Sequence, residues 1–263
     1  MPLPFESALV TGASSGIGAA MARLLAGVGV DLVLVARSTD KLKELAAELK
    51  KEHGVSVDVL PADLSDPADL AKVEARLEVQ PIDLLVNNAG ASTFGPFAET
   101  DVETSTRLVA LNTIAPVRLT HAALPGMLAR ERGWVLMISS LGALQPAPQF
   151  AVYTATKAFL TNFSESLHEE VREKNVVVTV AMPGFTKTDL GAKTGVADAG
   201  ASALLWDTAD NVARIALTAC ALGRATVVPG TLNTTLAAAS RLSPRGLIRR
   251  LSAMTTGRMS ANS

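Results

Sequence analysis

The chain predicts a doubly wound α/β fold: a mainly parallel sheet with helices on both faces, in a single domain followed by a helical C-terminal tail. Three observations lead there. Short, near-continuous apolar runs alternate with longer amphipathic patterns, and parallel strands covered on both faces read as unbroken apolar runs. Hydrophobic residues make up 48% of the 263 positions but aromatics only 4%, so Ala, Val, Leu and Gly build the core. That composition suits close helix–sheet packing better than an aromatic-rich sandwich. No repeat or linker interrupts the pattern up to Val228-Pro229-Gly230.

In chain order, the apolar runs Ala8–Thr11, Asp31–Ala36, Val55–Leu60, Leu84–Asn87, Trp134–Ser139, Val176–Ala181 and Thr226–Val228 are expected as strands. Ile17–Val28, Asp40–Glu52 and Asp66–Glu78 carry apolar residues at helical spacing. In Asp40-Lys41-Leu42-Lys43-Glu44-Leu45 the charges fall on one side and the leucines on the other, as on a helix lying over a sheet. A further helix opens at Tyr153 and runs to Glu173.

Charge and cysteine content exclude several classes. A net charge of -1 gives no global electrostatic case for nucleic acid. Cys220 is the one cysteine, so there is no internal disulfide and no thiolate-rich metal site. His121 and His168 fall within helical patterns without ligand partners, so no metal is expected. Met1–Glu6 lacks the basic region of a secretory signal. The uncharged stretch Gly133–Thr156 contains Pro146, Pro148 and two glutamines, which argues against a lipid-facing helix. A cytoplasmic protein is expected.

The first strand runs into Thr11-Gly12-Ala13-Ser14-Ser15-Gly16-Ile17-Gly18 and then a helix. Such a turn lets backbone amides at a helix N-terminus face a pyrophosphate. Where an acidic residue would bind the adenosine ribose of NAD, the second strand ends in Ala36-Arg37. A neutral residue followed by a guanidinium suits a 2′-phosphate, with Ser14 and Ser15 as further donors, so NADP is favoured over NAD. Asp63-Leu64 and Asn87-Asn88-Ala89-Gly90 close the third and fourth strands, where ligands bind in parallel sheets. For Asn87 itself, tying neighbouring strands through its side chain is the expected role.

Tyr153 and Lys157 lie four residues apart on one helix face. An ammonium beside the phenol would lower its pKa and fit it for general acid–base work on a carbonyl or alcohol. Ser140 lies thirteen residues before Tyr153, just after an apolar strand; Asn112 sits in a helical stretch after the Asn-Asn-Ala-Gly turn; Pro183-Gly184-Phe185-Thr186-Lys187-Thr188 follows another buried strand. With these six motifs in this order, the chain resembles the short-chain dehydrogenase/reductase family, with its Rossmann fold, from about residue 6 to residue 190.

The resemblance implies roles for the matching positions. Backbone around Gly12, Ser14, Ser15, Gly16, Ile17 and Gly18 would cradle the cofactor phosphates, Arg37 and Ser14 would read the 2′-phosphate, and Asp63 would contact adenine. Leu64 and Asn88, Ala89 and Gly90 would line the adenosine side, and Pro183, Gly184, Phe185 and Thr188 would orient the carboxamide. Tyr153 would donate the proton and Lys157 would hold the ribose. Ser140, preferred to Ser139 on spacing, would bond the substrate oxygen, and Asn112 would support a proton-relaying water. A homodimer or homotetramer built on the helices of Asn112 and Tyr153 is also implied.

Phe94, Leu141, Leu144, Phe150, Leu190 and Trp206 are expected to make an apolar substrate wall, with residues 188–207, containing Gly191, Gly195 and Gly200, as a lid. The expected activity is NADPH-dependent reduction of an apolar carbonyl compound or oxidation of its alcohol. The alternatives are 3-oxoacyl-thioester reduction, for which Lys187 and Lys193 could meet a carrier protein, and a non-enzymatic NADP-binding sensor or scaffold. No acidic residue follows Asp210, while Arg214, Arg224, Arg241, Arg245, Arg249, Arg250 and Arg258 do. Residues 1–229 are therefore expected as the catalytic domain and 230–263 as a basic amphipathic extension. Pro244 and Gly246 divide that extension, and packing on its own domain or on a second subunit is preferred to peripheral membrane contact.

Overall fold

The computed structural model describes residues 3–187 and 206–242, together with Gly246 and Arg249. Its centre is a seven-stranded sheet in the order β3-β2-β1-β4-β5-β6-β9, every pairing parallel. The strands are β1 Ser7–Thr11, β2 Asp31–Ala36, β3 Val57–Pro61, β4 Leu84–Asn87, β5 Gly133–Ile138, β6 Val176–Ala181 and β9 Thr226–Val227. This is the expected doubly wound arrangement, with β3 beginning later than Val55.

Both faces of the sheet are covered, which explains the unbroken apolar runs. Ala8, Val10, Leu34, Val86 and Leu136 point to one face, against α1 Gly16–Ala26, α2 Thr39–His53 and α7 Ala209–Ala221. Leu9, Val33, Leu85, Val135 and Met137 point to the other, against α3 Pro67–Val79, α5 Ala115–Ala129 and α6 Ala151–Val171. Each face buries a large aliphatic cluster, and at roughly 25 cal/mol per Å² of apolar surface this burial is the main force holding the layers together. Cys220, on α7, is wholly buried in the first cluster.

Register sets the site. Val10 pairs with Val86, Val86 with Leu136, and Leu136 with Thr179, so the carboxyl ends of β1, β4, β5 and β6 stand level. The residues that follow, Gly12, Asn88, Ser140 and Pro183, therefore gather along one edge of the sheet. The stretch Gly133–Thr156 proves to be strand β5, a 3-10 turn at Leu141–Leu144 and the start of α6. Among the described residues no helix is long and apolar enough to cross a membrane.

One feature departs from the expected organisation. Residues 206 and 207, expected in a loop, form β8 Trp206–Thr208, which pairs in parallel with β7 Phe185–Lys187. That ladder brings together the two ends of the expected lid, whose Leu190, Gly191, Lys193, Gly195 and Gly200 lie outside the described residues, as does Thr188. The tail begins with α8 Thr231–Leu242, which packs against the 3-10 turn Leu141–Leu144. Leu247, Ile248, Leu251 and Met254 lie outside the described residues.

Candidate active site

The glycine turn is built from its own backbone and two side chains of the neighbouring strands. Gly12 adopts φ +66°, which a side chain would strain, and a Cβ there would lie 2.8 Å from Asn88 Nδ2. Asn88 Nδ2 donates to the carbonyls of Thr11 (2.9 Å) and Gly12 (3.3 Å). Thr11 Oγ1 donates to Val86 O and accepts from the amides of Asn88 and Ala89. So Thr11 and Asn88 stitch β1 to β4. The expectation that Asn87 ties neighbouring strands is corrected: strand alternation turns its side chain to the helix face, where Nδ2 donates to Thr120 Oγ1 of α5 at 3.1 Å. Thr11 was missed as a site-building residue, although a hydroxyl closing an apolar strand was the available signal.

This arrangement fits a dinucleotide phosphate. Helix α1 starts at the turn with no acidic residue in its first turn, and Ser15 makes no side-chain cap. Its first amides are therefore open to an anion. Ser14, Ser15, Gly16 and Ile17 are partly exposed there, while Gly18 is buried against the turn. Arg37 is exposed just past β2 and, among the described residues, makes no hydrogen bond or ion pair. Asp63 has both carboxylate oxygens engaged, Oδ1 by the amide and hydroxyl of Ser65 and Oδ2 by Arg107 at 2.9 Å. Burial pushes its pKa up, but the Ser65 bonds and the charges of Arg37 and Arg107 hold it below its ordinary value. Leu64 is 4% exposed, with its side chain in the core.

Asn112 lies 1% exposed on a π-turn, Ala110–Ile114, between α4 Val102–Val109 and α5. Pro116, four residues later, has no N–H for the Asn112 carbonyl, and Ala115 N bonds Ala110 O instead. The bulge lets the Asn112 side chain pin the loop after β4: Oδ1 accepts from Ala91 N, and Nδ2 donates to Ala91 O and to Thr156 Oγ1, each at 3.0 Å. A Cβ on Gly90 would meet Asn112 Oδ1 at 3.2 Å and Lys157 Nζ at 3.4 Å, so both atoms approach the same point.

Ser139 is buried, bonded to Lys157 O and Thr161 Oγ1 at the back of α6. Ser140 Oγ accepts from Gly142 N at 3.1 Å and is also bonded to the Tyr153 phenol. Burial raises the Tyr153 pKa, and the Ser140 bond only partly offsets this. The expected lowering by Lys157 is therefore corrected. Lys157 Nζ donates to Ile138 O at 2.8 Å and sits 5.9 Å from the Tyr153 ring centre, and burial pushes its own pKa down to about 8. Desolvation is the largest cause of both shifts.

On the open side, Phe94 packs on Phe150 at 5.0 Å and Phe150 meets Tyr153 edge-on at 6.4 Å. Gly95 N donates to Gln149 O, tying the two loops together. Leu141 and Leu144 are partly exposed beside Ser140. On the other side Pro183 is buried, Gly184 is partly exposed, and Phe185 packs on Trp206 at 5.6 Å. Among the described residues no cluster of three or more His, Cys, Asp or Glu could hold a metal.

Solved structures with this architecture include a short-chain dehydrogenase from Sphingobium yanoikuyae in complex with NADPH, with TM-score 0.83 and 36% identity, covering 92% of this chain and 94% of that one. Another is the bulky-bulky ketone specific alcohol dehydrogenase from Comamonas testosteroni, with TM-score 0.77 and 31% identity, covering 99% and 95%. Among curated proteins, the very-long-chain 3-oxoacyl-CoA reductase of Anas platyrhynchos is 37% identical over 188 residues, 70% of this chain and 60% of that protein. The chain thus spans less than two thirds of the length of the curated relatives it matches. Residues 6–198 match the short chain dehydrogenase family, and the chain belongs to it.

Proposed function

We propose that the protein uses NADPH to reduce the carbonyl of a bulky, apolar substrate. The reading is carried by one observation: a phenol that burial keeps protonated, bonded to Ser140, beside the aromatic pair Phe94–Phe150. Bound NADPH supplies the hydride. Arg37 and Ser14 bind the 2′-phosphate, and the amides from Gly12 to Gly18 bind the pyrophosphate. Asp63, Leu64 and Asn88–Gly90 border the adenosine; Pro183–Phe185 and Thr188 orient the other end. Tyr153 gives its proton to the carbonyl oxygen while the Ser140 hydroxyl, already accepting from Gly142 N, donates to that oxygen as charge develops. Lys157, charged at neutral pH, holds the ribose, and Asn112 fixes the loop beside it.

The catalytic unit in this reading is residues 1–229, with helix α8 packed on it. A homodimer or homotetramer is supported by the exposed Val109, Ile114 and Phe159 on the helices around Asn112 and Tyr153.

A second reading, reduction of a 3-oxoacyl thioester of coenzyme A, is favoured by the 37% identity to a very-long-chain 3-oxoacyl-CoA reductase. NADPH and NADH oxidation over bulky ketones, small ketones and 3-oxoacyl-CoA esters tests both. Turnover preferring NADPH and falling about 10²- to 10⁴-fold in Tyr153→Phe is expected. Undiminished turnover in that variant would overturn the assignment, and activity confined to the thioesters would favour the second reading.

A further inference from the structure

We infer that Asn233, on the C-terminal helix α8, is a positioning residue for the Pro183–Phe185 turn and hence for the nicotinamide end of the cofactor. The inference rests on the NADPH reading above. Asn233 is 6% exposed, whereas Leu232 and Leu236 on the same helix are 43% and 48% exposed. This helix buries an amide and exposes leucines, which apolar packing alone does not explain. Asn233 Nδ2 donates to Pro229 O at 3.0 Å, so the side chain folds back over the start of its own helix.

There it lies directly against Gly184. A Cβ on residue 184 would fall 2.6 Å from Nδ2, 2.7 Å from Oδ1 and 2.8 Å from Cγ of Asn233, closer than atoms pack. Only glycine at 184 admits this amide. The Gly184 carbonyl accepts from Thr186 Oγ1 at 3.1 Å, and the carbonyl of Pro183 accepts from Leu141 N at 2.9 Å. Leu141 directly follows Ser140, and α8 itself packs against the turn Leu141–Leu144. A single amide therefore braces both the loop that bears Ser140 and the turn assigned to the nicotinamide. It acts through the backbone of Gly184 and touches no reacting atom.

The test compares wild type, Asn233→Ala, Gly184→Ala and the double variant, each first checked by thermal melting. Affinity is measured for NADPH and for 2′-phospho-ADP-ribose, which lacks the nicotinamide. Asn233→Ala is expected to weaken NADPH about fivefold to tenfold, to leave 2′-phospho-ADP-ribose within about twofold, and to slow ketone reduction about 10- to 100-fold through misplacement. In Gly184→Ala the new methyl meets the amide, so adding Asn233→Ala should restore part of the lost NADPH affinity. Equal weakening of both nucleotides would indicate a merely structural residue and overturn the inference. So would unchanged NADPH binding in Asn233→Ala, or a double variant no better than Gly184→Ala. Wild type that binds neither nucleotide would overturn the cofactor reading, and the positioning role with it; the wild-type titrations alone distinguish that failure from the others.

Discussion

Lys157 holds an ammonium where burial works against it. Its side chain is 5% exposed and its pKa falls from 10.5 to about 8. Between those values the unfolded chain keeps a proton that the folded chain has released, so stability rises with pH across that window. Below about 8 the fold carries the full cost, which at about 1.4 kcal/mol per tenfold change in proton affinity is about 3 kcal/mol. Lys157→Met should therefore stabilise the protein at pH 7 by about 1–3 kcal/mol in urea denaturation while abolishing turnover. Loss of stability in that variant would mean that the bond to Ile138 O outweighs the desolvation. The same titration shapes the activity. With Tyr153 held protonated and Lys157 losing its charge near pH 8, kcat/KM for reduction should fall above about pH 8. Oxidation of the alcohol, which needs the phenolate, should rise only at higher pH, because burial raises the Tyr153 pKa. A reduction profile flat to about pH 10 would count against Lys157 as the group responsible.

At the scale of elements, irregular segments do the positioning. The π-turn at Ala110–Ile114 turns Asn112 inward and makes it the clamp on Ala91. Asn112→Leu has similar bulk but leaves the Ala91 amide and carbonyl without partners. It should cost about 2–4 kcal/mol in chemical denaturation and sharply reduce activity. A change below about 0.5 kcal/mol would show that the loop finds other partners. The β7–β8 ladder and helix α8 both lie outside the main sheet, one joining residues 185–187 to 206–208 and the other seated on Gly184. Arg107, on α4, reaches Asp63 and Ser65 beyond β3, joining the adenosine side to the helix before the π-turn.

For the whole molecule, seven parallel strands between two helical layers make a unit whose interior should open only with the fold. Cys220 reports on this, since α7 holds it wholly buried and burial raises its thiol to about 12. A thiol reagent should label it on mixing in denaturant but, in buffer, only as fast as the protein unfolds. Rapid labelling of native protein would reveal local opening of α7 away from the sheet. Because Cys220 is the one cysteine, the rate needs no deconvolution.

By itself the sequence determined the parallel sheet, the glycine turn, the exposed Arg37 after β2, and the placing of Tyr153 and Lys157 on one helix face. Each follows from short-range periodicity or from what a local backbone conformation demands. Only tertiary structure decided the direction of the Tyr153 shift, because desolvation depends on atoms packed from distant segments. The same holds for the Lys157 ammonium, which bonds a carbonyl 19 residues earlier in the chain, and for Asn87, which strand alternation points at α5. Asn112 lay between these cases: Pro116 four residues on was a readable signal of a broken helix, but the partner it frees the side chain to hold was not. Asn233 left no local trace at all, since its meaning comes from meeting Gly184 across the fold.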